Sequence, residues 1–128
     1  MIVQPKLGHE TPVLITHFPA SQAALARLAI DDPRYAERFE LFYQGVELAN
    51  GYHELLDPSV LRKRNVQANL DRIRDGKSAL PESSYLLDAM DAGLPAATGC
   101  ALGFDRVVML ACQAKKISDV MAFPFDRA

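Results

Sequence analysis

Apolar and polar positions alternate most clearly between Tyr35 and Leu55. Phe39, Leu41 and Tyr43 interleave with Arg38, Glu40 and Phe42, and the apolar positions resume at Val46 and Leu48 after Gln44-Gly45. A period of two belongs to strands, so two such runs joined at a glycine-containing turn predict an antiparallel hairpin. That period sets Glu40 and Phe42 on the face opposite Phe39, Leu41 and Tyr43. In the second arm it sets Glu47, Ala49, Gly51 and His53 on one face and Leu48, Asn50, Tyr52 and Glu54 on the other. A bulge at Asn50-Gly51 would change that register. Val13 to His17 is a further β-rich run, stopping at Phe18-Pro19.

The pattern turns helical at Asp57-Pro58-Ser59, where Asp57 suits an N-cap and Pro58 the first helical position. This helix is predicted to run to about Asp75, with Gly76 able to end it. Its apolar residues are Val60, Leu61, Val66, Leu70 and Ile73. Arg62, Lys63, Arg64, Arg72 and Arg74 make it basic, which reads as a solvated face in preference to a nucleic-acid patch. Ala20 to Ile30, rich in Ala and Leu, suggests a helical turn or short helix before Asp31-Asp32-Pro33 breaks it. Tyr85 to Ala92 reads as a short helix ending at Gly93. The small apolar run Pro95 to Leu102 reads as a strand feeding a buried helix from Phe104 to Cys112, and Ile117 to Phe125 closes the chain as a short apolar segment. The predicted class is α+β with a mostly antiparallel sheet.

Composition narrows the picture. At 128 residues, with no repeat, low-complexity tract or long linker, residues 1–128 read as one domain. Hydrophobic residues are 49% and charged residues 23%, which argues against a disordered chain. Fourteen Lys and Arg against 16 Asp and Glu give a net charge of -2, so a domain-wide basic footprint for nucleic acid is absent. No apolar run reaches the roughly 18 residues of a membrane span. Cys100 and Cys112 sit among apolar neighbours and predict buried free thiols in a reducing, cytoplasmic compartment. His9, His17 and His53 show no metal-ligand spacing.

Three places could carry chemistry. Glu40 and Glu47 lie one on each arm of the hairpin. Either both point to solvent, the reading that pattern alone prefers, or they face each other as a pair of hard oxygen ligands for Mg²⁺. Asn50, Tyr52 and Glu54 offer amide, aromatic and anionic groups suited to a small amino-bearing ligand, or they are ordinary polar residues of a hairpin edge. Gly99-Cys100-Ala101-Leu102-Gly103-Phe104-Asp105-Arg106 leads straight into a helix. Its small residues let a ligand approach the backbone, and a helix start favours anions. Arg106 could pair with phosphate or stack on a ring, or this is a tight strand-to-helix turn whose Arg106 pairs with a local acid.

At these places the sequence resembles a known family. Gly99-x-Ala101-x-Gly103-x-Asp105-Arg106 is similar to motif 3 of class II aminoacyl-tRNA synthetases. Arg38-Phe39-Glu40-Leu41-Phe42 and the run from Gly45 to Leu55 resemble the segment before motif 3 in lysyl-tRNA synthetases. His17 to Leu25 and the ending Ala122-Phe123-Pro124-x-Asp126-Arg127-Ala128 resemble their paralogues, the elongation factor P–(R)-β-lysine ligases. The resemblance covers almost the whole chain.

It implies the C-terminal part of a class II catalytic domain, an antiparallel sheet flanked by helices, in an enzyme that activates an amino acid with ATP and Mg²⁺. By the same resemblance Glu40 and Glu47 hold the metal, and Glu47, Leu48, Gly103 and Arg106 contact ATP, with Arg106 the catalytic arginine. Asn50, Tyr52 and Glu54 match the amino-acid pocket, where Glu54 would neutralise an ammonium. Ala101 stands where lysyl-tRNA synthetases usually have glycine, which goes with β-lysine in place of α-lysine; Ala49 likewise replaces a glycine. The implied acceptor is elongation factor P, with tRNA-Lys as the alternative and a non-catalytic interaction module as a third reading. The family's motif 1, which builds a homodimer, and its motif 2 are not found, so the chain alone is expected to be inactive.

Overall fold

The computed structural model describes residues 3–125. Four antiparallel strands form one sheet in the order β1 (Val13–Pro19), β2 (Tyr35–Tyr43), β3 (Val46–His53), β4 (Thr98–Leu102). Between β3 and β4 run α1 (Pro58–Arg74) and α2 (Tyr85–Ala92), and α3 (Phe104–Ala111) follows β4 directly. This is the α+β arrangement the pattern predicts. The hairpin turns at Gln44-Gly45, whose φ angles are 50° and 73°. Two successive residues in the left-handed region give the tight turn whose twist matches the flanking strands. None of the described helices is long and apolar enough to cross a membrane.

Two irregularities in the ladder decide which side chains share a face. At His17, with φ of 57°, the β1–β2 register shifts, so that Thr16 pairs with Phe39 but Phe18 with Ala36. Phe18 thereby joins the face of Ala36, Arg38, Glu40 and Phe42, here called the front. The second irregularity is not at Asn50-Gly51, where the sequence allowed a bulge. Those two residues pair regularly with Glu40 and Phe39, and the shift falls one step earlier, where Leu41 pairs with Ala49 but Phe42 with Glu47. Leu48 is the extra residue. A strict period of two would have set Glu47 on the back with Ala49 and Gly51; the bulge brings it to the front with Phe42.

The apolar core is thin and split. Ala23, Ala26 and Ala36 form one buried cluster, with Phe18, Leu28 and Tyr52 against it. Leu61, Leu87 and Met90 form the other, with Leu25 and Leu55 against it. Helix α1 has the expected cap: the Asp57 carboxylate accepts from Ser59 N at 2.8 Å, and Gly76 follows its end with φ of 72°. Its basic residues do more than face solvent. Arg62 pairs with Asp91 of α2, and Arg64 donates to the carbonyls of Ala24 at 2.7 Å and Ala26 at 2.8 Å.

Three other expectations change: those for Ala20–Ile30, for the burial of α3 and for the two cysteines. The Ala20–Ile30 segment is not a helix beyond a single 3-10 turn at Ala20–Gln22; its remainder is extended, bridging Ala26 to Glu54 and Leu28 to Ala36. Backbone partners on two strands outweigh the helix propensity of its alanines. Helix α3 contains no buried residue; Val107 to Leu110 are half-buried and Phe104 is 70% exposed. The closing segment Ile117 to Phe125 holds only a 3-10 turn, with Phe123 and Phe125 exposed. Cys100 and Cys112 are both free and exposed, not buried, because β4 and α3 are covered on few sides. Asp126, Arg127 and Ala128 of the quoted ending lie outside the described residues.

Candidate active site

The front of the sheet carries three cross-strand rows. Glu40, Asn50 and Ala101 form the middle row, since Asn50 pairs with both neighbours. Arg38, Tyr52 and Gly99 form the next. Phe42 and Glu47 form the third, beside the bulge. Glu54 follows β3 at the end away from Glu47. Its backbone is tied to Ala97 O at 3.0 Å, and its carboxylate lies over Gly99. The ladder therefore unites Asn50, Tyr52, Glu54 and Ala101, the four residues expected to hold an amino acid.

Within these rows some polar atoms are paired and others, Arg38 Nε among them, have no partner among the described residues. Asn50 Nδ2 donates to Tyr52 Oη at 2.9 Å, which fixes the phenol, while Asn50 Oδ1 is buried without a hydrogen-bond partner among the described residues. Leaving a buried acceptor unpaired costs about 1–3 kcal/mol, so this atom suits a ligand donor. The Glu54 carboxylate is half-buried and also makes no hydrogen bond or ion pair among the described residues.

Glu40 and Glu47 are half-buried on one face, but they are not cross-strand partners. Glu40 sits opposite Asn50 and Glu47 opposite Phe42. The expected facing pair is thus a staggered pair. Glu40 is ion-paired with Arg38, and the two side chains are only 14% and 16% exposed. The Arg38 guanidinium also donates to Gln22 O at 2.8 Å, and lies 4.4 Å from the Phe18 ring centroid and 5.9 Å from that of Tyr52. Among the described residues no cluster of three or more His, Cys, Asp or Glu forms a metal cage. Two carboxylates on one face still suit a cation completed by phosphate oxygens and water, the usual way Mg²⁺ is held.

The residues expected at the nucleotide meet around the bulge. Arg106, in the first turn of α3, donates from Nη1 to Glu47 O at 2.8 Å, and Gly103 N donates to Leu48 O at 2.8 Å. A Cβ on Gly103 would lie 3.2 Å from Arg106 Cδ, so the glycine leaves the arginine its path. Leu48 lines a cavity of ≈ 390 Å³ with Tyr43, Val107 and Leu110. Among the described residues Arg106 pairs with no acid; it holds a main-chain carbonyl and remains exposed.

On the back, Glu37 joins Arg27, at 2.8 Å, to His53 Nδ1, at 2.7 Å. The Arg27 hydrogen bond holds the Glu37 carboxyl below the usual carboxylate range; partial burial opposes this, and the charges of Arg27 and His53 assist it. The sequence reading gave no site role of their own to Arg38, Phe18 and Gly99. Arg38 had a signal, because opposite charges two apart on a strand share a face. Phe18 had none, since its face depends on the shift at His17.

Residues 3–127 match the family described as tRNA synthetases class II (D, K and N). Over 126 residues, 98% of this chain and 39% of the relative, the chain is 51% identical to a protein of Salmonella arizonae named elongation factor P–(R)-β-lysine ligase. Proteins with the same name from Erwinia tasmaniensis and Salmonella dublin are 50% and 52% identical, over 98% and 100% of this chain and 38% and 39% of their own. The chain thus spans about 39% of the length of the curated relatives it matches.

Proposed function

For a chain that belongs to the class II tRNA synthetases (D, K and N), we propose the motif 3 part of an ATP-dependent ligase. Such a ligase activates (R)-β-lysine as its adenylate and transfers it to a lysine of elongation factor P. The observation that carries the reading is the gathering of both expected residue groups along β3. Glu47, Leu48, Gly103 and Arg106 meet at one end, and Asn50, Tyr52, Ala101 and Glu54 at the other. The shared name of the relatives supports the protein acceptor over tRNA.

In this reading the chemistry is positioning and charge stabilisation, with no covalent work by the protein. Arg106 is fixed on the Glu47 carbonyl and offers its remaining guanidinium donors to phosphate. Glu40 and Glu47 would hold Mg²⁺, which neutralises phosphate charge when bound. Asn50 Oδ1 and the Glu54 carboxylate receive the substrate's N–H donors, and Tyr52 closes the pocket beside them. The Ala101 methyl, opposite Asn50, trims the floor. A homodimer and the rest of the ATP site would come from the portion of such ligases to which this chain does not correspond.

The test is direct. Amide resonances of the chain are followed during titration with (R)-β-lysine and, separately, with Mg-ATP. Shifts confined to Asn50–Glu54 and Gly99–Ala101 for the first, and to Glu47–Leu48 and Gly103–Arg106 for the second, are the expected result. Shifts elsewhere, or none, overturn the assignment. In parallel, the chain replaces the matched segment of the Salmonella arizonae relative. The chimera should support β-lysine-dependent pyrophosphate exchange and load elongation factor P, whereas the chain alone should give no exchange. Loading of tRNA in its place would favour the tRNA ligase reading.

A further inference from the structure

We propose that Gly99 is a positioning residue for amine recognition: the side chain it lacks is the space that the Glu54 carboxylate occupies. This deepens the reading above and rests on its assignment of Glu54 to a substrate ammonium.

Gly99 is the second residue of β4, inside the strand and paired with Tyr52 on the front of the sheet. Glycine in a strand interior weakens the strand and marks a bulge, a bend or a close approach. Neither a bulge nor a left-handed backbone is present here. The β3–β4 register is regular from Ala49 to His53, and Gly99 is not among the positive-φ residues. Any residue could adopt its conformation, so close approach is the remaining explanation. A Cβ built on Gly99 would lie 2.5 Å from Glu54 Oε1 and 3.7 Å from Glu54 Cδ, and, its two chain neighbours aside, would meet no other heavy atom of the described residues within 4 Å. Glu54 alone fills the vacant position.

The approach is specific to the carboxylate. Glu54 is anchored through its own backbone, by its amide to Ala97 O and by the bridge to Ala26. Its side chain runs back across β4 to reach the front, where the carboxylate has no cation and no hydrogen-bond donor among the described residues. A half-buried carboxylate without a partner is costly and binds a cation well when one arrives. Along β3 the phosphate-side residues Glu47 and Arg106 lie at one end and Glu54 at the other. A bound amino acid with its carboxylate toward the phosphates points its far ammonium at Glu54. The glycine therefore contributes to selection of a diamino acid over a monoamino acid without touching the ligand.

Only the end of a flexible side chain would clash with an alanine here, so Gly99→Ala should move the carboxylate and leave the fold intact. The ligands are (R)-β-lysine and 3-aminohexanoic acid, which lacks the terminal ammonium. Affinities are read by chemical-shift titration of the full chain, with thermal melts as the folding control. The unsubstituted chain should prefer the diamine by roughly ten- to a hundredfold, the range of one charge-assisted hydrogen bond. Gly99→Ala should lose most of that preference with its melting temperature and its affinity for 3-aminohexanoic acid unchanged. Gly99→Ala/Glu54→Asp, whose shorter acid clears the new methyl, should recover part of it. Full preference in Gly99→Ala, with Glu54→Gln lacking it, overturns the role of Gly99 and leaves that of Glu54 standing. No preference in the unsubstituted chain, or preference retained in Glu54→Gln, overturns both.

Discussion

The two ends of the candidate site are held by different means. At the proposed amino-acid end, Asn50, Tyr52 and Ala101 sit in regular ladder rows, Glu40 with Asn50 and Ala101 and Arg38 with Tyr52 and Gly99, and Glu54 follows β3 beside them. At the nucleotide end, the ladder breaks at Leu48, and two main-chain carbonyls, those of Glu47 and Leu48, are taken up by the Arg106 guanidinium and the Gly103 amide. One end is fixed by strand parity and side-chain size, the other by backbone hydrogen bonds to the start of a helix. The difference predicts that the two respond to different substitutions, and each expected outcome below would break or sharpen that division.

The largest effect is expected at Gly51, behind the amino-acid rows. A Cβ there would lie 2.4 Å from the Phe39 ring and 2.7 Å from Gly99 O, a backbone atom that cannot step aside. Gly51→Ala should lower stability in urea unfolding by about 3 kcal/mol, the upper part of the overpacking range. A loss under 0.5 kcal/mol would mean that the rows are looser than described. Next is Arg106→Ala, which removes a charged donor from the bulge. Affinity for Mg-ATP by calorimetry should fall roughly tenfold or more, with (R)-β-lysine affinity unchanged. A parallel fall in both would merge the two ends into one unit. Smaller again is Ala101→Gly, which enlarges the floor by one methyl. The affinity ratio of α-lysine to β-lysine should rise about tenfold, the low end of the methylene scale, and an unmoved ratio would take Ala101 out of the pocket.

The smallest effect is electrostatic and lies on the back of the amino-acid rows. The Glu37 carboxyl is held below its ordinary pKa chiefly by Arg27. A carboxylate so depressed stabilises the fold fully above its unfolded pKa, about 4.3, and loses that contribution as pH falls through the folded value. Melting temperatures of the unsubstituted chain and Glu37→Gln should therefore differ above about pH 5 and converge in stronger acid. A constant gap throughout would place the effect in packing.

What could be read from the chain follows the same division. Period two correctly places Asn50 and Tyr52 together and Ala49, Gly51 and His53 behind them, because a regular ladder obeys the alternation written in the sequence. Asp57, Pro58, Gly76 and the turn Gln44-Gly45 are legible for a similar reason: each acts on its own backbone. Glu47 is not legible by parity, since one unpaired residue inverts its face and nothing in Val46-Glu47-Leu48-Ala49 announces it. The expectation that Glu47 joins Glu40 on one face came from the resemblance to synthetases, where periodicity pointed the other way. The Ala20–Ile30 segment misled because its local preference is helical while two of its backbone partners, His53 and Leu55, are distant in sequence. The cysteines misled because apolar neighbours along the chain do not bury a thiol on a sparsely covered strand.

The hydrogen bond from Arg106 to Glu47 O joins residues 59 positions apart, and β4 reaches β3 only after the whole excursion through α1 and α2. The hairpin of β2 and β3, by contrast, closes on two residues. Closing a long loop costs entropy before any contact returns it, so pairings distant in sequence come late. The site is thus expected to mature in order: hairpin, then β4, then the grip of α3 on the bulge. Destabilising the Gln44-Gly45 turn should slow refolding in a stopped-flow denaturant series, whereas Arg106→Ala should leave the refolding rate alone and quicken unfolding. The reverse pattern would make the helix start the nucleus. A nascent chain would accordingly hold the substrate-side residues of β3 in register well before it had anything with which to grip a nucleotide.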